Sequence, residues 1–288
     1  MHVYLLIMEL HKGCENLHLK DPVVTMGIFD GVHRGHRVII DRLISQAKKS
    51  GGESVIITFD PHPRLVLENE SASISFLTTL EEKTELLREA GADHLIIIEF
   101  DRELSSMTAP DFIRTILIGK IGMRHLIVGH DHHFGHRGSG DFQTIERYSR
   151  SFNFTVEQLP GIEDGNITIS SSLIRETLLS GGLEEANRWL GYNYSLKGIV
   201  VEGRKIGREL GFPTANIKPG DRFKLIPADG VYAVEVRING DAHKAMLSIG
   251  FNPTVRKQRG ERSIEVHIFD FEQNIYDQEI EIVFRYRL

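Results

Sequence analysis

Cysteine is almost missing from this chain: Cys14 is the one thiol in 288 residues. A single thiol excludes an intrachain disulfide, which fits a reducing compartment. Long apolar runs are missing too. No stretch approaches the ~20 residues that span a bilayer, so no membrane partner is expected. The beginning, MHVYLLIMELHKGCENLH, is briefly apolar but lacks a basic leader and a small-residue cleavage site. There is no excess of positive charge, with 34 Lys and Arg against 40 Asp and Glu and a formal net charge of -6. That balance argues against a general nucleic-acid binder, although an acidic protein can hold a locally positive site for an anionic substrate. Internal repeats and low-complexity tracts are not found. What remains is a globular composition, 41% hydrophobic and 26% charged, in a chain with room for two domains and read as cytoplasmic.

The two halves differ in hydrophobic period. Up to about residue 186, the short continuous apolar runs VVTMGIF, SVIITF, HLIIIEF and HLIVG suit strands buried on both faces of a parallel sheet. Helical patterns lie between them. HRVIIDRLISQAKKSGG places Ile40, Leu43, Ile44 and Ala47 on one face and stops at Gly51. TLEEKTELLREAG opens with a capping box, Thr79 and Glu82, and closes on Gly91. The alternation predicts a doubly wound α/β domain over 1–186, with ligands at the carboxyl ends of its strands. From about residue 196 the period becomes two. Tyr232, Val234, Val236 and Ile238 share a face, as do Ile264, Val266 and Ile268, and Ile280, Ile282 and Phe284. Asn239-Gly240 is a hairpin signal. A small antiparallel barrel or sandwich is therefore expected in a second domain over 187–288, joined through the mostly helical GGLEEANRWLGYNYS.

Three stretches suggest chemistry in the first half. GIFDGVHRGH, residues 27–36, reads as strand, glycine turn and helix start. A helix beginning near His33 sets His33 and His36 on one face of its first turn, where the helix dipole favours an anion such as a nucleotide phosphate. In ISSSLIRETLLSGG, Ser171 and Ser172 open a helix and can cap it or bind phosphate. Arg175, one turn in, can clamp a phosphate or form a surface ion pair. GHDHHFGHRG carries His130, His132, His133 and His136, but without the ligand spacings of common zinc sites. In the second half, GRKIGRELGFPTANI offers Gly203, Gly207 and Gly211 for close backbone approach to a phosphate. Thr214 and Asn216 follow, two oxygen-bearing side chains suited to Mg²⁺.

GIFDGVHRGH, TFDPHP and ISSSLIR together resemble the adenylyltransferase half of the bacterial bifunctional riboflavin kinase/FMN adenylyltransferases, or FAD synthetases. PTAN, IPADGVYAV, IGFNPTV and IEVHIFDF, in that order, resemble their riboflavin kinase half. The resemblance implies a Rossmann-like nucleotidyltransferase domain with a parallel sheet, followed by an antiparallel β-barrel kinase domain. It implies that riboflavin is phosphorylated to FMN, and FMN adenylylated to FAD with release of pyrophosphate, both steps using ATP and Mg²⁺. His33 and His36 would then hold the ATP phosphates and stabilise charge at the α-phosphorus. Ser171, Ser172 and Arg175 would bind the leaving phosphates. Gly27, Phe29, Asp30, Gly31 and Gly35, with Asp60, His62 and Pro63 of the DPHP loop and Asp131, would shape the nucleotide and flavin site. In the kinase half, Gly203, Gly207, Gly211, Phe212 and Pro213 would line the nucleotide loop. Thr214 and Asn216 would serve the metal, and Glu265 would act as the base toward the ribityl 5′-hydroxyl. Ile28 and His132 stand where the family often has Asn and an aromatic residue.

Riboflavin, FMN, FAD, ATP, ADP and pyrophosphate are the implied partners, with at most a weak homo-oligomer. Two other classes fit the same residues. One is an HxGH nucleotidyltransferase with another acceptor and a second domain that only binds flavin. The other is a non-catalytic flavin- or nucleotide-binding regulator. PTAN together with Glu265 argues against the first. Family members usually continue beyond the strand EIVFRYRL into a helix that helps enclose the flavin. A chain stopping at Leu288 is expected to bind riboflavin weakly and to run a slow kinase beside a competent adenylyltransferase, unless another segment or a partner subunit covers the flavin ring.

Overall fold

The computed structural model describes residues 8–67, 74–203, 213–251 and 262–288. The chain forms two compact units that part between Ile169 and Ser170, with residues 75–79 belonging to the second.

The first unit contains β1 (Glu9–Lys12), β2 (Val23–Met26), α1 (Arg34–Ser50), β3 (Ser54–Asp60), α2 (Pro63–Leu67), α3 (Leu80–Glu89) and β4 (His94–Glu99). It continues through α4 (Arg102–Ser106), α5 (Ala109–Phe112), a π-helical stretch at Ile113–Lys120, β5 (His125–Gly129), α6 (Phe142–Phe152), β6 (Thr155–Leu159) and the short hairpin of β7 (Glu163–Asp164) and β8 (Ile167–Thr168). Six strands form one sheet in the order β1-β4-β3-β2-β5-β6, each pair parallel. Its strands read as unbroken apolar runs because both faces are covered. Ile40, Leu43 and Ala47 of α1 and Leu87 of α3 pack with Ile56, Leu95 and Ile127 on one side. Phe112, Ile113, Ile116, Leu117 and Ile145 pack with Val24, Val55, Ile57, Ile96 and Val128 on the other. Full burial of an Ile or Leu stabilises by about 1.5–3 kcal/mol. Strands β3 and β4 build out to one side of β2 and β5 and β6 to the other, which opens a crevice at the carboxyl ends of β2 and β5.

The second unit holds α7 (Ser171–Ser180), α8 (Leu183–Leu190), β9 (Ser195–Val201), β10 (Ala215–Pro219), β11 (Gly230–Ile238), β12 (Asp241–Phe251), β13 (Arg262–Ile268) and β14 (Glu279–Arg287). The strands close into an antiparallel barrel in the order β10-β13-β12-β11-β14-β9. Closure decides between barrel and sandwich, because β9 bonds both to β10 and to β14. Tyr232, Val236, Ile282 and Phe284 are wholly buried within it. Asn239 (φ 50°) and Gly240 (φ 94°) form the expected tight turn between β11 and β12. Residues 75–79 enter this unit through backbone bonds. Phe76 N–H donates to Phe223 O at 2.7 Å, and Leu225 N–H donates to Phe76 O at 2.8 Å. Lys224 Nζ, 4.5 Å from the Tyr194 ring centroid, donates to Leu77 O at 2.7 Å. Among the described residues no helix is long and apolar enough to cross a membrane.

Candidate functional site

The crevice of the first unit is built on the turn from β2 into α1. Helix α1 starts one residue after His33, which caps it: His36 N–H donates to His33 Nδ1 at 3.4 Å. That bond places the His33 proton on Nε2, so the ring presents an N–H donor away from the helix. The His33 and His36 rings stack, with centroids 3.6 Å apart and 20° between planes. Phe29 meets His36 edge-on at 5.2 Å. Gly35 leaves room beneath the stack, since a Cβ there would sit 3.1 Å from the His33 ring and push it by a few tenths of an ångström. Gly31 takes φ 79° in the same turn, and Gly27 lies against the Phe29 ring. Burial holds the His36 imidazole well below its ordinary pKa, with His33 and then Lys83 pushing the same way. His36 Nδ1 is buried without a hydrogen-bond partner among the described residues. The arrangement stacks an uncharged His36 imidazole against His33 at the amino end of a 17-residue helix, suited to an incoming anion.

Lys83 was not a candidate from the sequence, yet it joins this cluster. Its side chain is almost wholly buried, and Nζ lies 3.5 Å from Thr58 Oγ1. Burial lowers its pKa, while Asp30 and Asp60 raise it. Thr58 in turn donates to Ile28 O at 3.3 Å, so Lys83 is tied to the turn preceding the histidines. A signal was present: Leu80, Lys83, Thr84 and Leu87 share the helix face that should be apolar. A lysine there needs a buried charge partner.

The other candidates of this unit occupy the carboxyl ends of neighbouring strands. Asp60 ends β3, His62 Nδ1 accepts from Arg64 N–H at 3.1 Å, and Pro63 begins α2. Asp131 follows β5 and is exposed, with Oδ1 3.8 Å from His130 Nδ1. His132 stacks on Phe134 at 5.7 Å, so the aromatic contact survives its substitution. Burial pushes the His132 pKa down to about 4, and its Nε2 has no partner among the described residues.

In the second unit, Ser171 and Ser172 do open α7, but the capping belongs to Ser170, whose hydroxyl accepts from Leu173 N–H at 3.3 Å. Arg175 Nη2 donates to Ser172 Oγ at 3.0 Å. Three barrel candidates converge. Asn216 of β10 is in register with Glu265 of β13, and Thr214 Oγ1 donates to Glu265 Oε2 at 3.4 Å. Gly203 lies against this group: a Cβ there would meet Asn216 Nδ2 at 1.8 Å. Pro213 O accepts from His267 Nδ1 at 2.8 Å. Thr214 and Pro213 also line a cavity of about 470 Å³, together with Val266, Phe271, Asn274 and Tyr276. Gly207, Gly211 and Phe212 lie outside the described residues.

Residues 15–173 match the family model described as FAD synthetase, and residues 190–288 match the one described as riboflavin kinase. A relative from Listeria monocytogenes is 39% identical over 91% of this chain and 82% of its own length. One from Pseudomonas fluorescens is 35% identical over 98% and 89%, and one from Escherichia coli K12 is 34% identical over 98% and 90%. All three are described as bifunctional riboflavin kinase/FMN adenylyltransferases. A crystal structure described as a macrolide-efflux protein from Streptococcus pneumoniae aligns with a TM-score of 0.88 and 32% identity, covering 98% of this chain and 91% of that one.

Proposed function

Because the chain belongs to the bifunctional riboflavin kinase/FMN adenylyltransferase family and carries both of its domains, we propose that the His33–His36 cluster serves adenylyl transfer and the Thr214–Asn216–Glu265 cluster serves riboflavin phosphorylation. The carrying observation is that Thr214 and Asn216 meet Glu265, about fifty positions away, within the barrel, while the two histidines of GIFDGVHRGH stack at the turn into α1. Both reactions take ATP as co-substrate. The efflux named for the Streptococcus pneumoniae structure is not carried over, since relatives spanning the same length are named for flavin chemistry.

In adenylyl transfer, a phosphate oxygen of FMN attacks the α-phosphorus of ATP and pyrophosphate leaves. No enzyme nucleophile is required, so the protein's work is positioning and electrostatics. His33 offers Nε2–H, and uncharged His36 can take up hydrogen bonding or a proton as negative charge builds. Lys83 supplies a fixed positive charge nearby. Asp131 and the DPHP loop shape the substrate. In the kinase reaction, Glu265 accepts the 5′-hydroxyl proton as that oxygen attacks the γ-phosphorus of ATP. Thr214, hydrogen-bonded to Glu265, keeps the carboxylate oriented. The oxygen donors of Thr214 and Asn216 fit a hard divalent cation, for which we take Mg²⁺. When bound, it would neutralise phosphate charge.

Incubating the protein with riboflavin, ATP and Mg²⁺, then separating flavins by chromatography, tests the assignment. The wild type should yield FMN and FAD. Glu265→Gln should lose roughly 10²–10⁴-fold in FMN formation while still converting supplied FMN to FAD. Near-normal phosphorylation by that variant would remove Glu265 from the base role.

A further inference from the structure

Away from both clusters, three side chains converge at the amino ends of β1 and β4. Glu9 and His11 are two apart on β1 and therefore share a face. Glu9 is in register with His94 of the neighbouring parallel strand. His11 Nε2 lies 3.1 Å from His94 Nδ1. Glu9 Oε2 lies 3.9 Å from His11 Nε2 and 3.8 Å from His94 Nδ1. Around a four-coordinate zinc-class ion with ligands near 2.0–2.1 Å, neighbouring donors sit about 3.3 Å apart. The three observed separations bracket that spacing, so small side-chain adjustments bring all three donors onto one ion. The two imidazole side chains are largely buried, 23% and 9% exposed, whereas Glu9 is 67% exposed, which leaves one flank open to water.

The environment of His94 adds an independent observation. Its second nitrogen, Nε2, is 3.5 Å from Glu53 Oε2. That carboxylate oxygen is itself held by Lys20 N–H at 2.7 Å. A carboxylate on Nε2 keeps the ring proton there and turns the Nδ1 lone pair toward His11 and Glu9. Metal-binding histidines are commonly oriented by such an outer carboxylate. Two imidazoles with one carboxylate select borderline ions such as Zn²⁺ or Co²⁺ over Mg²⁺, which prefers an all-oxygen shell.

We propose that Glu9, His11 and His94 form a binding site for a zinc-class divalent cation, with Glu53 orienting His94 and water completing the shell. The site lies at the opposite ends of the strands from the crevice of the same sheet. Its occupant would clip the edge strand β1 to β4 rather than touch a reacting phosphate.

The test titrates Co²⁺ into the chelator-treated full-length protein and reads the visible bands of four-coordinate Co²⁺, followed by displacement with Zn²⁺. The wild type should show one such site. His11→Gln should abolish it while leaving FMN and FAD formation unchanged. Glu53→Gln should weaken it by about 10–100-fold, the usual effect of losing an outer-shell carboxylate. His94→Gln should also abolish it, but His94 is nearly buried and the variant can disturb folding, so His11→Gln decides. Absence of four-coordinate bands in the wild type overturns the proposal. Identical bands in His11→Gln, as from an ion held by the histidines of residues 130–136, overturn it equally.

Discussion

Single side chains in the crevice are tuned by burial as much as by identity. His36 is kept uncharged first by burial and then by the neighbouring His33 and Lys83. Removing the Lys83 charge should let the His36 pKa rise. Lys83→Met is therefore expected to shift the acid limb of FMN adenylylation to higher pH and to slow the reaction roughly tenfold, about 1.4 kcal/mol of barrier. Riboflavin phosphorylation in the same preparation reports whether the kinase half remains intact. An unchanged pH profile would remove Lys83 from the electrostatics of the site. His132 poses a stability question. Its pKa is lowered from 6.5 to about 4 by burial. As pH falls below about 6.5 the unfolded chain takes up a proton that the folded chain refuses, so stability is lost toward pH 4. This one group should cost about 2 kcal/mol between pH 7 and pH 5. His132→Phe keeps a ring beside Phe134 and removes the titration. Urea unfolding at the two pH values should show a smaller loss in the variant, and equal losses would refute this account.

The elements deliver these residues by local rules. Helix α1 is held between the His33 cap and Gly51 in the left-handed conformation, with Ile40, Leu43 and Ala47 against the sheet. All of that is visible in a period of 3.6 and two end signals. Helix α7 is less transparent, because three consecutive serines compete for one cap and only the backbone geometry selects Ser170. In the barrel, alternation assigns the inward faces of β11, β13 and β14 correctly. It does not say which strands are neighbours, and it is the pairing of β10 with β13 that sets Asn216 beside Glu265. Gly203 is part of that device. Gly203→Ala would drive a methyl group into the Asn216 amide, 1.8 Å from Nδ2. The expected result is a higher Mg²⁺ requirement and a slower kinase, with FMN adenylylation preserved. An unaltered Mg²⁺ titration of kinase activity would show that the Asn216 position is not critical.

At the scale of the whole molecule, two activities sit on one chain with their proposed residues in separate clusters. His36→Ala should phosphorylate riboflavin but make no FAD, whereas Glu265→Gln should do the reverse with supplied FMN. Mixing the two variants should restore riboflavin-to-FAD conversion, because FMN released by one protein is a substrate for the other. Flavin chromatography of the mixture checks this. Accumulation of FMN without FAD, while Glu265→Gln alone still adenylylates supplied FMN, would contradict exchange through solution.

Local patterning determined much of this protein. Continuous apolar runs marked strands covered on both faces, alternation marked barrel strands, and the HxGH and PTAN stretches marked the two clusters proposed for phosphate chemistry. Each is a relation among residues close in the chain, set by the helix and strand periods. Tertiary structure alone decided what depends on distant partners. Closure of the barrel rests on β9 reaching both β10 and β14, and residues 75–79 join the second unit through bonds to residues near 224. Lys83 becomes part of the crevice because α3 packs it near Asp30 and Asp60. Glu9 and His94, 85 positions apart, become neighbours only when β1 lies beside β4. A hydrophobic period records which face of an element is buried, but carries no information about what that face will meet.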